Sequence, residues 1–218
     1  PGIKTSHRII DGLEIDSGFI NQLFLPKGES KIVLSNTAIM IVDQEIVSIN
    51  EKSQFFQVVA KFAETKQNLL IICSDLKKDA FEFFTNNFVR GNLNVAVIKV
   101  PKYQRNRTQW LYDLCALTSA QGVGGDFNIA LDSFSPIMFG FAERVIIDSY
   151  KTKIINPKKN TGLIEERVRI YTESINHLIG DSDRKDIQDR LGFLSSKVAV
   201  ISVGYHTELE LREKGDRI

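Results

Sequence analysis

The chain has 218 residues, of which 43% are hydrophobic and 25% charged, as is typical of a folded globular protein. Its 28 basic and 27 acidic side chains leave a formal charge of +1, so the sequence shows no overall attraction to nucleic acid or to an anionic membrane. No uncharged apolar run approaches the roughly 20 residues that a membrane-spanning helix needs. The length allows one large domain or two small ones.

Short runs of β-branched residues alternate with longer amphipathic stretches along the chain. The runs predict strands at residues 31–35, 38–43, 69–72, 94–100, 144–148 and 198–203. The stretches between them predict helices at about 50–65, 76–90, 106–118, 161–180 and 183–195. This alternation predicts an α/β fold with helices on the faces of a sheet. The glycine-containing loop 119–128 is expected at the surface.

The penultimate helix has the clearest periodicity in the sequence. Its apolar residues lie three and four positions apart, on one stripe: Ile164, Val168, Tyr171, Ile175 and Leu178. A short polar turn separates it from the last helix. We therefore expect the two helices to pack antiparallel as part of the core.

Residue types that carry chemistry are few and scattered. Cys73 and Cys115 are far apart in sequence, and we expect two buried, reduced thiols. His7, His177 and His206 show no metal-ligand spacing, so no metal site is predicted. The sequence also has no phosphate-binding loop, dinucleotide fingerprint or nucleophile-elbow motif.

Two helices carry more apolar surface than a single core contact requires. In the first, one stripe contains Phe55, Val59 and Phe62, and a second contains Phe56, Ala60 and Ala63. In the next, one stripe contains Ala80, Phe84 and Phe88, while Phe81 and Phe83 point elsewhere. A surface helix needs only one apolar stripe. The second stripe therefore indicates either burial on both sides or a patch that contacts a partner.

Seven segments, in collinear order, resemble the apical domain of group I chaperonins, the GroEL-like family. They are DGLEIDSG at 11–18, LLIICSD at 69–75, NFVRG at 87–91, VAVIKVP at 95–101, SDRKDIQDRL at 182–191, VAVISVG at 198–204 and TELELREKGDR at 207–217. The family's similar segments are EGMQFDRG, LLIIAED, NTMRG, VAAVKAP, DYDREKLQERV, VAVIKVG and TEVEMKEKKAR. The resemblance covers nearly the whole chain.

The resemblance implies a GroEL apical-domain fold, with β-sheets flanked by helices in a swivelling β/β/α arrangement. It implies that residues 1–10 are a hinge strand from an intermediate domain and that 11–197 are the apical domain. Residues 198–218 would be the return strand and the start of the intermediate domain. Gly12 is expected near one hinge strand. At the other, Ser196 and Lys197 replace the family's glycine pair, which would stiffen it.

The resemblance also implies a function. The family's apical domain binds non-native polypeptides and the cochaperonin lid in an apolar groove, and so supports ATP-driven folding in a ring of chaperonin subunits. The matching positions are Phe19, Leu23, Phe24, Ser53, Phe56, Phe81, Thr85 and Asn86. Of these, we expect Phe24, Phe56 and Phe81 to be solvent-accessible and to dominate binding.

In the family, ATP and Mg²⁺ are bound outside the apical domain. This chain is therefore expected to be monomeric, to hold no cofactor and to hydrolyse no ATP. The segment NLNV at 92–95 and the frequent Asn, Lys and Ile residues favour a divergent organellar member of plastid (apicoplast-like) type. A mitochondrion or a bacterial cytoplasm are the alternatives. The alternative function is a stand-alone α/β enzyme domain, which would show a pocket of converging polar groups.

Overall fold

The computed structural model of the chain describes residues 6–101, 106–175 and 180–202. Across these residues the protein is a mixed α/β structure, with one seven-stranded sheet ordered β4-β3-β2-β5-β6-β1-β7 and flanked by helices. The strands are β1 Ser6–Ile15, β2 Ile32–Ile46, β3 Asn68–Leu76, β4 Asn94–Lys99, β5 Gly140–Ile147, β6 Thr152–Pro157 and β7 Lys197–Ser202. The helices are α1 Gln54–Glu64, α2 Lys78–Val89, α3 Arg107–Thr118, α4 Thr161–Ile175 and α5 Asp181–Leu194.

The predicted α/β class and all five predicted helices are confirmed over the described residues. The predicted strands at 31–35 and 38–43 form one continuous strand, β2. Strand β6 was missed because its short sequence, TKIINP, ends in residues that favour turns. Strand β1 has charged residues among its apolar ones, and only the family resemblance predicted a strand in part of it.

The centre of the sheet is buried on both faces. Strands β2, β3 and β4 are parallel, whereas β5 pairs antiparallel with β2. Residues 39–42, 69–73 and 95–98 of the parallel strands are inaccessible to solvent without exception. Such continuous apolar runs are typical of parallel strands covered on both faces.

The helices cover the sheet in two layers. Because β2, β3 and β4 are adjacent and consecutive, right-handed crossovers place α1 and α2 on the same face. Phe139 lies on that face, with its ring 5.0 Å from the ring of Phe62 in α1. The next residue, Gly140, faces the other way, and a Cβ atom there would lie 2.8 Å from Ala120, just after α3. Helix α3 packs across β2 and β5 on this second face, together with α4 and α5.

The loop after α3 lies only partly at the surface: Gly125, Asp126 and Asn128 are exposed as predicted, whereas most of its first half is buried. Ala120 and Val123 are buried, as are Gly122 and Gly124. The Val123 amide donates to the Ile41 carbonyl at 3.1 Å, and the Val123 carbonyl accepts from the amide of residue 43 at 2.7 Å. The loop therefore pairs with the end of β2 beyond the last β5 pair, and its buried backbone is satisfied there.

A buried polar cluster joins α3, α4 and α5. The Asp113 carboxylate has no exposed surface and accepts hydrogen bonds from Arg167, from Arg190 at 2.7 Å and from the Tyr171 hydroxyl at 2.9 Å. Burial and the neighbouring Asp113 charge raise the pKa of Tyr171 to about 12. The buried guanidinium group of Arg190 and the partly buried one of Arg167 thus share one buried carboxylate.

This cluster corrects the predicted apolar stripe of α4. Tyr171 is buried as expected, but Val168 is 37% exposed, so its predicted place in the core is wrong. The residue before Val168, Arg167, faces inward instead and lies one helical turn before Tyr171. Leu178 lies outside the described residues. Helices α4 and α5 pack together as predicted.

We expect Asp113→Ala to lower the free energy of unfolding by about 3–5 kcal/mol, because it leaves the buried guanidinium group of Arg190 and the partly buried one of Arg167 without their carboxylate. Urea denaturation measures the loss. The control is Glu173→Ala, whose ion pair with Arg169 is exposed and whose loss should cost less than about 0.5 kcal/mol. Equal stability of Asp113→Ala and the wild type would show that the cluster is not a stabilising network.

The two buried cysteines should lower the free energy of unfolding at alkaline pH. Both are buried and unpaired, as predicted, and burial raises the pKa of Cys73 and Cys115 from 9.0 to about 12. Above about pH 9 the unfolded thiols ionise while the folded ones stay protonated, so the free energy of unfolding falls as the pH rises toward about 12. In urea denaturation, Cys115→Ala should show a shallower decline over this range than the wild type. Parallel declines would contradict the assignment.

Candidate functional site

An extended segment between β1 and β2 lies along the outer edge of β4. The Ile20 amide donates to the Val97 carbonyl at 2.8 Å, and Phe19 forms an antiparallel bridge with Ile98. The segment reaches this edge by passing close to the β5–β6 turn, where a Cβ atom on Gly18 would lie 2.3 Å from the Asp148 carbonyl oxygen. A glycine is therefore needed at the point where the segment leaves β1.

The segment ends in a short 3₁₀ turn that separates two neighbouring apolar side chains. The Asn21 side chain caps the turn by accepting from the Leu23 amide at 2.9 Å. Leu23 is 54% exposed, whereas Phe24 is fully buried, with its ring 6.1 Å from Phe81 and 5.9 Å from Phe88. The expectation that Phe24 is solvent-accessible is wrong, because the turn directs its ring beneath α2.

Helix α1 has the two apolar stripes that the sequence indicated. The core stripe is confirmed, since Phe55, Val59 and Phe62 are all buried. The residues of the second stripe are each partly exposed: Phe56, Ala60 and Ala63. The ring of Phe56 lies 5.8 Å from the ring of Phe83 in α2. The second stripe of α1 therefore lies beside α2 and is only partly covered by it.

Helix α2 lies between α1 and the extended segment. Ala80 and Phe84 are fully buried beneath it, whereas Phe81 and Phe83 are partly exposed. Phe83 was not among the predicted site residues, although its position off the core stripe was a signal for it. We define the α1–α2 groove as the partly exposed Phe56 and Phe83, whose rings meet between the two helices, together with Phe81 and the exposed Leu23 on the side of α2 that faces the extended segment.

The predicted polar positions of the groove have different roles in the structure. Ser53 caps α1, since its hydroxyl oxygen accepts from the Phe56 amide at 3.1 Å. Thr85 is only 7% exposed, and its hydroxyl donates to the Phe81 carbonyl at 2.7 Å. Asn86 is exposed. Thr85 therefore lies beneath the groove surface, contrary to its predicted place on it, and Asn86 is the more accessible of these two predicted polar residues.

The predicted hinge residues lie where β1 changes its pairing partner. Strand β1 is continuous from Ser6 to Ile15 and pairs first with β7 and then with β6. A Cβ atom on Gly12 would lie 2.2 Å from the Val198 side chain, so close packing accounts for this glycine. The Ser196 hydroxyl donates to the Phe193 carbonyl at 2.7 Å, and Lys197 begins β7. Bending at these residues stays a prediction.

A polar cleft of about 380 Å³ lies on the other side of the molecule, between the end of β1, α3 and α5. Its lining includes Glu14, Asp16, Trp110, Asp186 and Arg190. Glu14 pairs with a lysine, Asp186 accepts from an asparagine at 2.7 Å, and Arg190 is part of the buried cluster. Within the described residues, no three His, Cys, Asp or Glu side chains are arranged to hold a metal ion.

A comparison of the sequence with models of known protein families gave no match. Among the helices of the described residues, none is long and apolar enough to cross a membrane.

Phenylalanines of the core and of the groove differ in burial, so their replacement should change the free energy of unfolding by different amounts. Because Phe24 is fully buried, we expect Phe24→Ser to lower the free energy of unfolding by about 3–5 kcal/mol. Phe56 is partly exposed, so Phe56→Ser should cost less, about 1–2 kcal/mol. Urea denaturation of both variants tests this. If Phe56→Ser is as costly as Phe24→Ser, Phe56 belongs to the core and the α1–α2 groove is wrongly defined.

Proposed function

We propose that this chain is the apical domain of a group I chaperonin of the GroEL-like family, with that family's apical-domain fold. It binds non-native polypeptides and a cochaperonin lid along the α1–α2 groove. The observation that carries the proposal is the set of partly exposed phenylalanines that lie off the core stripes of two neighbouring helices, Phe56 on α1 and Phe81 with Phe83 on α2. The collinear sequence segments give it independent support.

The chemistry of the groove suits a partner that has no fixed sequence. Removing apolar surface from water gains about 25 cal/mol per Å², and this attraction has no preferred direction. Aromatic rings supply a large area at a small cost in side-chain entropy. A surface built from specific hydrogen bonds would instead reject most unfolded chains, because each mismatch leaves a buried polar group unpaired.

The accessible apolar surface is smaller than the sequence implied. Phe24 supports the groove from below and Thr85 lies beneath it, so neither contributes accessible surface to a client. Leu23, at 54% exposure, is the most accessible apolar side chain of the extended segment. We expect client affinity to be weaker than in family members with fully apolar grooves, and a polar contact of the client to involve Asn86.

The polar cleft favours the alternative function, a small-ligand-binding enzyme domain. Its polar groups converge, as that function requires. However, Glu14, Asp186 and Arg190 already have partners in the protein. The remaining charged side chains of the lining, Asp16, Lys185 and Asp189, are solvent-exposed, whereas catalytic acids and bases are typically partly buried. We therefore favour the chaperonin function.

Binding of a denatured client tests the proposal. Reduced, urea-denatured lactalbumin carrying a fluorescent label is diluted into the purified chain, and anisotropy reports binding. We expect Phe56→Ser and Phe81→Ser each to weaken binding about tenfold, because each removes a large apolar contact. The matched control is Val33→Ser, an apolar residue that is 51% exposed on β2, away from the groove. Equal losses in all three variants would show that binding is not confined to the groove.

The proposal also assigns ATP and Mg²⁺ to other domains of a ring-forming parent, which we expect to be organellar. The chain by itself should be monomeric by light scattering and should release no phosphate from ATP. The expectation follows from the resemblance to the family. ATP turnover that persists through successive purification steps would instead support the enzyme alternative.

A further inference from the structure

Helix α1 borders a second apolar hollow, on the side turned away from the α1–α2 groove. We define the α1–β5 recess as the open space of about 360 Å³ between α1 and strands β2 and β5, lined mainly by Ala38, Val58, Lys61, Phe62, Phe139 and Phe141. On a helix with 100° per residue, Val58 and Phe62 lie 200° and 240° from Phe56. The groove and the recess are therefore separate surfaces of one helix.

The recess has an aromatic floor and an open mouth. The rings of Phe62 and Phe139, 5.0 Å apart, belong to its lining and are largely shielded from solvent. Phe141 is 40% exposed, and the neighbouring Ile137 is 87% exposed. Large apolar side chains with such exposure are unusual next to a concave surface, and they favour a ligand with an apolar body.

Lys61 gives the recess a charge without a partner. It is the one charged residue in the lining that the structure describes. No ion pair of Lys61 occurs among the described residues either. Two uncharged polar side chains also line the recess, Thr65 and the exposed Gln67, and the Thr65 hydroxyl already donates to the Phe62 carbonyl at 2.7 Å. A ligand in the recess would thus find apolar walls and a single ammonium group, which complements a carboxylate.

We propose that the α1–β5 recess binds a medium-chain carboxylate, with the alkyl chain against Phe62, Phe139 and Phe141 and the carboxylate at Lys61. The volume lies near the lower end of the 300–1,000 Å³ range of small-molecule pockets, so a chain of about ten carbons fits better than a long-chain fatty acid. The apolar chain provides most of the affinity and the charge selects the head group. The site does not depend on what the α1–α2 groove binds.

Decanoate tests the proposal, with decanol as its uncharged counterpart. Titration into the purified wild type is followed by calorimetry, and we expect saturable binding of decanoate that is tighter than that of decanol. Lys61→Met should weaken decanoate binding about two- to fivefold, as expected for a solvent-exposed ion pair, and should leave decanol binding unchanged. Phe141→Ser should weaken both ligands. Lys52→Met, which removes an exposed lysine before α1, is the matched control and should change neither.

Nuclear Overhauser contacts locate the ligand without any variant. Decanoate methylene protons should contact the ring protons of Phe62 and Phe139. Contacts with Phe56 and Phe83 instead, or loss of binding in Phe56→Ser, would place decanoate in the α1–α2 groove and overturn the proposal. So would absence of saturable binding, or equal affinity for decanol and decanoate. Self-association of the chain that Phe141→Ser abolishes would identify a second copy as the occupant and would also overturn it.

Discussion

Strands β2, β3 and β4 have no solvent-facing side, and the layers around them follow from this constraint. Residues 39–42, 69–73 and 95–98 are inaccessible, so both faces of the sheet must be covered. On one face, α1 and α2 each direct one apolar stripe at the strands. Because both helices are short and carry phenylalanines off these stripes, aromatic surface remains beside the contact. The α1–α2 groove is thus a consequence of how the centre of the sheet is buried.

The opposite face is held by charge as well as by apolar packing. Asp113 of α3 receives donors from α4 and from α5, so three helices meet at one carboxylate. An apolar contact tolerates sliding of one helix along another, whereas these hydrogen bonds require defined positions. Arg190 also lines the polar cleft. The cluster therefore fixes one wall of the cleft while the apolar α1–α2 groove, on the other face, carries no comparable restraint.

The sequence predicted the parts of the fold that local pattern determines. Helical periodicity separated Phe55 and Phe62 in the core from the partly exposed Phe56. Burial of Phe24 was not predictable in this way, because it depends on an Asn21-capped turn and on two rings of α2 that are distant in sequence. The polar cluster was missed for a similar reason. Arg167 and Arg190 are surface residues by pattern, and only tertiary packing brings them to Asp113.

The backbone of the segment that carries Leu23 also protects the outer edge of the sheet. Strand β4 is the last strand of the sheet, and an unpaired outer strand is a template on which another chain can add. Phe19 and Ile20 occupy part of that edge with the bridge to Ile98 and the hydrogen bond to Val97. A proteolytic cut near this segment would therefore remove one wall of the α1–α2 groove and, in the same step, open the edge of β4 to intermolecular strand addition.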